Sequence, residues 1–256
     1  MGRLDRAPSL NELSAQCGDI ARSRIAAVAK EKHGQTKVRL VHDLRRSGVN
    51  ERVVVRERVV LPRATEVVGD ALDLLEATGE TEAEFFVLDF KDAFKQLTVD
   101  PSERRFLGGE ALEGFFVYKV LVFGIKSGPL LWGRVAALLM RLTAAALYRE
   151  HVRIQCFVDD PVATLAGTPV RRRLNIWKMV VRWRALGFAL SWKKGQRGPP
   201  IDWIGARFGP WHTPSGRHGV MVCLLAEEIS KIRSLFEAFL EGKSTVNKNS
   251  LRSLRA

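Results

Sequence analysis

Apolar residues along this chain recur with two different periods, and the change of period marks out its elements. Residues 84–90, EFFVLDF, form an unbroken apolar run rich in Phe and Val, the signature of a buried strand. Residues 36–45 alternate basic with apolar side chains and residues 51–60 are β-branched, so both read as strands, with Ser47-Gly48 as the turn between them. From Pro62 to Glu76 the spacing becomes helical, with Val67, Val68, Ala71, Leu74 and Leu75 on one face. Two glycines and then Pro129 announce a second helix running to Tyr148, whose apolar face is read as Leu131, Val135, Leu138, Leu139 and Leu142. Thr168-Pro169 to Gly187 bound a third helix, in which Trp177 and Trp183 are read as core or groove-lining residues. A last helix covers 226–240, and 242–256 is a basic tail. Weaker signals suggest a helix over Ile20–Lys30 and two short strands, FALSWKK and IDWIGARF, separated by the loop GQRGPP.

Between the second and third helices lies IQCFVDDPVATLAG, residues 154–167. Two apolar runs flank Asp159 and Asp160, which places both carboxylates at the tip of a β-hairpin. Asp is common in turns for reasons of backbone bonding alone. A pair of carboxylates is also what a hard divalent cation requires. The central order of strand, helix, strand-turn-strand and helix describes a small antiparallel sheet backed by helices, of ferredoxin-like type. In that arrangement the strand ending near Asp89 and the hairpin lie side by side. Asp89 would then join Asp159 at adjacent strand ends, where clustered carboxylates repel unless cations compensate them. Two such cations form the device that stabilises attacking and leaving oxygens in phosphoryl transfer.

Composition narrows the choice of partner. The 256 residues carry 41 Lys and Arg against 28 Asp and Glu, a net charge of +13 and a pI near 10.2. A basic balance of that size in a folded chain is the electrostatic footprint of a nucleic-acid binder. Cys17, Cys156 and Cys223 have no C-x-x-C spacing, and the five histidines make no ligand pair of recognised spacing, which argues against a zinc enzyme and for a reducing compartment. No apolar stretch reaches the length of a membrane span and the N-terminus lacks a secretory signal, so the expected location is intracellular, in cytoplasm or nucleus.

At this point the chain resembles the reverse transcriptases (RNA-directed DNA polymerases) of retroelements over roughly residues 31–255. KVRLVHDLRRSGVN is similar to the fingers motif K-x-R-x-x-x-D-x-R-x-x-N, VLDFKDAF to motif A and LVFGIKSGPLLW to motif B. FVDD matches motif C, LGFALSWKK motif D and WIGARF motif E, all in the family's order. There are departures. Val122 stands where motif B has Pro, Trp132 replaces Phe, Ser47-Gly48 lengthen the fingers motif and Pro161 directly follows the aspartates.

The resemblance implies an α+β fold with a right-hand polymerase core of fingers, ferredoxin-like palm and partial thumb. It divides the chain into an N-terminal extension (1–30), a fingers-like part (31–83), a palm (84–208, with a fingers part near 101–120) and a partial thumb or connection with the basic tail (209–256). It implies Asp89, Asp159 and Asp160 as ligands of Mg2+ or Mn2+, and Lys194 as general acid, with Lys193 its neighbour. Lys37 and Arg39 would meet the triphosphate, Lys32 being a weaker candidate. The backbone at Asp92 and Ala93 would touch the phosphates, Phe94 would lie beneath the sugar, and Phe123 and Gly124 near the nucleotide. Trp203, Ile204 and Gly205 would form the primer grip. The implied partners are an RNA template, a DNA primer and deoxynucleoside triphosphates, without a membrane. A remnant that binds nucleic acid without turnover is the alternative, and Lys37, Arg39 and Lys194 speak against a nuclease. No RNase H-like segment is expected.

Overall fold

A computed structural model describes residues 2–32, 35–80, 82–111, 114–147, 151–212, 214–216 and 218–240. In chain order the strands and helices are β1 (Leu4–Ala7), α1 (Leu10–Cys17), β2 (Arg22–Ser23), β3 (Ile25–Lys32), β4 (Gln35–His42), α2 (Val49–Arg52), α3 (Ala64–Thr78) and β5 (Glu84–Val87). There follow β6 (Gly108–Ala111), β7 (Gly114–Tyr118), α4 (Gly128–Ala145), β8 (Val152–Phe157), β9 (Asp160–Leu165) and α5 (Pro169–Ala185). The chain closes with β10 (Gln196–Arg197), β11 (Ile201–Trp203), β12 (Ala206–His212), β13 (His218–Leu224) and α6 (Ala226–Leu240). The basic tail lies outside the described residues. Two compact units share these elements: Met1–Leu61 with Asp89–Ala146 and Lys178–Trp192, and Pro62–Leu88 with Leu147–Trp177 and Lys193–Ala256.

The second unit contains the expected antiparallel sheet, in the order β10-β5-β9-β8. Its core is apolar. Val67, Ala71 and Leu75 of α3, the face read from the sequence, pack with Phe85 and Val87 of β5, Val162 of β9, and Trp203 and Phe208 of the β11-β12-β13 sheet. Gln155 of β8 donates to Asp70 of α3 at 2.8 Å, and burial holds the Asp70 carboxyl above its usual range against that bond. Glu84 is buried and ion-paired with Arg172 at 3.4 Å and with Arg197.

The first unit is built on a four-stranded sheet, β1-β7-β6-β2, and a separate two-stranded ribbon, β3-β4. The ribbon overturns the helix expected over Ile20–Lys30. Eight residues of β3 pair in register with β4, from Ile25 opposite His42 to Lys32 opposite Gln35, and that ladder outweighs local helical spacing. The strand expected over 51–60 is also absent. Gly48, at φ 76°, turns the chain into α2, and the following segment to Arg63 has no partner strand, leaving Val54 and Val60 exposed. A strand without a partner leaves its ladder bonds unmade.

α4 forms where expected, but its buried face differs. Trp132, Ala136, Leu139, Met140 and Thr143 are inside, while Leu131, Leu138 and Leu142 are exposed. The helix is apolar on most sides, so period alone does not choose a face. Aromatic packing does: Phe90 meets Trp132 at 5.5 Å, Trp183 at 5.4 Å and Phe188 at 5.7 Å between ring centroids. The indole N–H of Trp183 donates to Thr143 Oγ1 at 2.9 Å. Trp177, by contrast, is exposed and not core. FALSWKK is not a strand: Leu190 makes one isolated bridge to Phe90, and Trp192–Lys194 is a short 3-10 turn. IDWIGARF is two strands, β11 and β12, around a turn at Ile204-Gly205, and the loop GQRGPP contains β10.

His42 ends β4 inside the first unit. It is buried with its ring edge-on to Tyr118 at 4.8 Å and Phe116 at 6.0 Å, and burial drops its pKa to about 4. The folded state therefore binds this proton less readily than the unfolded chain, with its ordinary value near 6.5. Its stabilising contribution is fully present above pH 6.5 and is lost as pH falls from 6.5 to about 4. The full loss is roughly 3 kcal/mol at 1.36 kcal/mol per pH unit. We expect urea unfolding of the first unit to show this loss between pH 6.5 and 4, and His42→Leu to flatten it; an equally steep loss in the variant would contradict the assignment.

Candidate active site

Asp159 lies in a two-residue turn. Phe157 pairs with Asp160 across the hairpin, so Val158 and Asp159 alone connect β8 to β9. Val158 has φ 54°, a left-handed conformation that a β-branched residue adopts only at a cost of about 1–3 kcal/mol. Several contacts hold it. The Cys156 thiol lies 3.4 Å from the Val158 carbonyl oxygen, to which it donates. The indole N–H of Trp203, a buried residue of β11, donates to the Asp160 carbonyl at 3.0 Å. Phe157 meets the Trp203 ring edge-on at 6.3 Å.

Pro161 leaves the hairpin register intact, opposite Cys156. Asp160 faces β8, so alternation turns the Pro161 carbonyl and its donor-less nitrogen toward β5. The Pro161 carbonyl there accepts from Leu88 N–H at 3.2 Å, just past the last paired residue of β5, Val87.

The two carboxylates give the hairpin tip a negative field. Burial first, and then the charges of Asp159 and Asp160, push the Cys156 thiol far above its usual range, so it stays protonated and leaves oxygen as the ligand chemistry of this tip. Hard carboxylate oxygens fit Mg2+ or Mn2+. Among the described residues, no group of three or more His, Cys, Asp or Glu side chains is arranged to hold a metal ion.

Asp89 belongs to the first unit and is buried, and its carbonyl accepts from Ser191 N–H at 2.8 Å. Gln96 clamps the loop that follows. Its amide donates to the carbonyls of Lys91 (2.7 Å) and Ala189 (3.1 Å), and its oxygen accepts from Ala189 N–H at 2.8 Å. Asp92 adopts a left-handed conformation, φ 53°, at the start of a 3-10 turn, Ala93–Gln96. Its side chain accepts from Arg3 at 3.0 Å, a bond that holds the carboxyl below its usual range. Ala93 is buried.

Phe94 is half-buried and edge-on to Phe123, at 5.1 Å. The loop carrying Phe123 and Gly124 is locked to the end of β4. His42 N–H donates to the Phe123 carbonyl at 3.1 Å, and Gly124, at φ 111°, passes so close that a Cβ would fall 2.1 Å from the His42 oxygen. Asn50 closes this contact, donating to the Gly124 carbonyl at 2.7 Å and accepting from Lys126 N–H at 2.9 Å. The first unit thus brings Asp92, Ala93, Phe94, Phe123 and Gly124 onto neighbouring turns tied to one another and to β4.

Lys37 and Arg39 sit two positions apart on β4, opposite Lys30 and Val28, and Arg39 is exposed. Lys193 and Lys194 are exposed on the 3-10 turn before β10. Ile204 and Gly205 form the two-residue turn between β11 and β12, with φ 42° and 80°, whereas Trp203 faces the core. A 1140 Å³ cavity in the first unit, lined by Val49, Val53, Leu97, Phe106, Ile125 and Val135 among others, contains none of the site residues named from the sequence.

Asn50, Gln96 and the bond from Trp203 to Asp160 were missed as site features. Asn50 had a signal, being the last residue of the fingers motif. Gln96 and Trp203 act through backbone carbonyls, which carry no side-chain signature in a sequence.

The family description "Reverse transcriptase (RNA-dependent DNA polymerase)" matches residues 31–208. No curated protein matches the chain. Among solved structures, one titled as the foamy viral protease-reverse transcriptase dRH in complex with ds DNA superposes with a TM-score of 0.63 at 16% identity. That match covers 99% of this chain and 36% of the viral one, so the chain spans about a third of its length. The likeness extends the family match from sequence to fold, and the mixed helices and sheets are those of a reverse transcriptase polymerase fold. With six motifs in order and the family description spanning most of the residues, this chain belongs to the reverse transcriptase family.

Proposed function

We propose that the chain is an RNA-directed DNA polymerase, extending a DNA primer on an RNA template with deoxynucleoside triphosphates. The observation that carries this reading is the strained two-residue turn presenting Asp159 and Asp160, with the β5 ladder running to Leu88, the residue before Asp89. On this reading residues 31–83 are fingers-like, 84–208 palm and 209–256 partial thumb, after an extension over 1–30. Asp89 and Asp159, with Asp160 beside them, would hold Mg2+ or Mn2+. When bound, two such ions supply the charge that lowers the cost of the attacking and leaving oxygens.

The chain's own residues do the rest. Lys37 and Arg39 take the triphosphate, Arg by its fork and Lys as a point charge. The Asp92-Ala93 backbone meets the phosphates, Arg3 holding the Asp92 side chain aside. Phe123 and Gly124 border the nucleotide, fixed by Asn50 and the His42 backbone. The 3′-hydroxyl of the primer gives up its proton to solvent and attacks the α-phosphate, the bond to pyrophosphate breaks, and Lys194 donates a proton to the departing pyrophosphate. Ile204 and Gly205 present the turn that grips the primer, while Trp203 positions the aspartate hairpin through the Asp160 carbonyl. The net charge of +13 grips template and primer through phosphates, so binding weakens steeply with salt.

Asp89→Asn and Asp159→Asn should each lower primer extension with Mg2+ by about a thousandfold or more, the loss of several kcal/mol of charge stabilisation. Template–primer affinity, read by fluorescence anisotropy, should stay within about threefold, because neutralising a carboxylate removes no phosphate contact. Near-normal extension by either variant would refute the carboxylate assignment.

Phe94 is the proposed sugar gate. Its half-buried ring, braced edge-on by Phe123, leaves a 2′-hydroxyl no hydrogen-bond partner. Burying that hydroxyl unpaired costs roughly 1–3 kcal/mol, so discrimination of about tenfold or more follows. Phe94→Val should raise the ratio of ribonucleotide to deoxynucleotide incorporation by that factor in single-nucleotide assays. An unchanged ratio in an active variant would make Phe94 plain core.

A further inference from the structure

α5 carries an apolar stripe that the polymerase reading does not use. Val170, Leu174, Trp177 and Val181 follow one another at spacings of four, three and four, and their exposures are 73%, 51%, 62% and 55%. At 3.6 residues per turn they fall within an arc of about 60°. Asn175, Met179 and Trp183, on the opposite side, are buried. The four-three-four spacing is that of a coiled-coil seam, narrower than the broad apolar face of a helix lying in a membrane surface.

Charge decides the partner. Arg171 and Lys178 flank the stripe on one side, Arg173 and Arg184 on the other, and all four are exposed. No Asp or Glu occurs in Pro169–Ala185. Residues flanking a seam set partner choice by ion pairing, so two copies of α5 would repel face to face. A nucleic-acid backbone would engage the cations and leave Val170, Leu174 and Val181 in water, with their exposure unexplained.

We propose that the outer face of α5 docks an amphipathic helix of a partner protein, with an apolar seam flanked by Glu or Asp. Trp177, near the centre of the stripe, is its anchor, the kind of residue that dominates such interfaces.

The test uses the full chain and labelled peptides of about three heptads. One peptide has Leu at the seam and Glu at the flanks, a second has Lys at the flanks, and a third keeps the Glu but has Ser at the seam. By fluorescence anisotropy the Leu/Glu peptide should bind at least about tenfold tighter than either of the others, the energy of one good anchor. Trp177→Ala should remove that advantage, and Arg173→Glu with Lys178→Glu should transfer the preference to the Lys peptide. All these positions are exposed, and circular dichroism checks that each variant is folded. Equal binding of the three peptides, or a Leu/Glu advantage untouched by Trp177→Ala, would overturn the proposal. So would finding that Trp177→Ala instead weakens binding to phosphatidylserine vesicles or to a labelled template–primer duplex.

Discussion

A valine held at φ 54° between two strands is the constraint on which the aspartate hairpin depends. With two residues in the turn, the register from Phe157 opposite Asp160 to Val152 opposite Leu165 is fixed, and with it the side of the sheet each aspartate faces. One more residue in the turn would reverse that assignment. The strain is carried by neighbours that pack for other reasons. Trp203 belongs to the core shared by α3, β5 and β12, and its single indole N–H reaches the Asp160 carbonyl. The apolar core of the second unit thereby sets the carboxylates.

A similar economy appears in the first unit. The β3-β4 ribbon pairs along its own length, and its lower end is fixed where His42 enters the aromatic cluster of Phe116 and Tyr118. The same residue's backbone N–H receives the Phe123 loop, and its carbonyl leaves room only for glycine at 124. Asn50 ties α2 to that loop from the other side. The His42 backbone thus links the ribbon bearing Lys37 and Arg39 to the turn bearing Phe123 and Gly124, while its buried ring anchors that end of the ribbon in the aromatic cluster.

The sequence made the palm-like sheet legible because its strands are long apolar runs with a carboxylate turn between them. α3 and α5 were legible because proline, glycine and apolar spacing agree there. Of the ribbon, β4 was legible from its alternation of basic and apolar residues, but β3 was not, since Ile25–Lys32 has mixed propensity and becomes a strand only by pairing with β4. The valines of 51–60 failed the opposite way, carrying strand propensity with no partner to realise it. In α4 the apolar period was present on several faces, and ring packing around Phe90 selected the one with Trp132. At the site, motif order identified side chains but not the carbonyl bonds of Gln96 and Trp203. Those depend on which backbone oxygens the fold leaves within reach, which no residue pattern encodes.

The proposal that Asp89 and Asp159 hold the same pair of ions can be tested by cutting the chain at the metal. Substituting Fe2+ for Mg2+ and adding peroxide and ascorbate generates hydroxyl radicals at the metal, which cut the backbone beside its ligands. Mass spectrometry of the fragments should give cuts near Asp89 and near Asp159-Asp160 together, both suppressed by excess Mg2+ and both lost in Asp89→Asn. Cleavage at the Asp159-Asp160 hairpin that persists in Asp89→Asn, with none near residue 89, would contradict it.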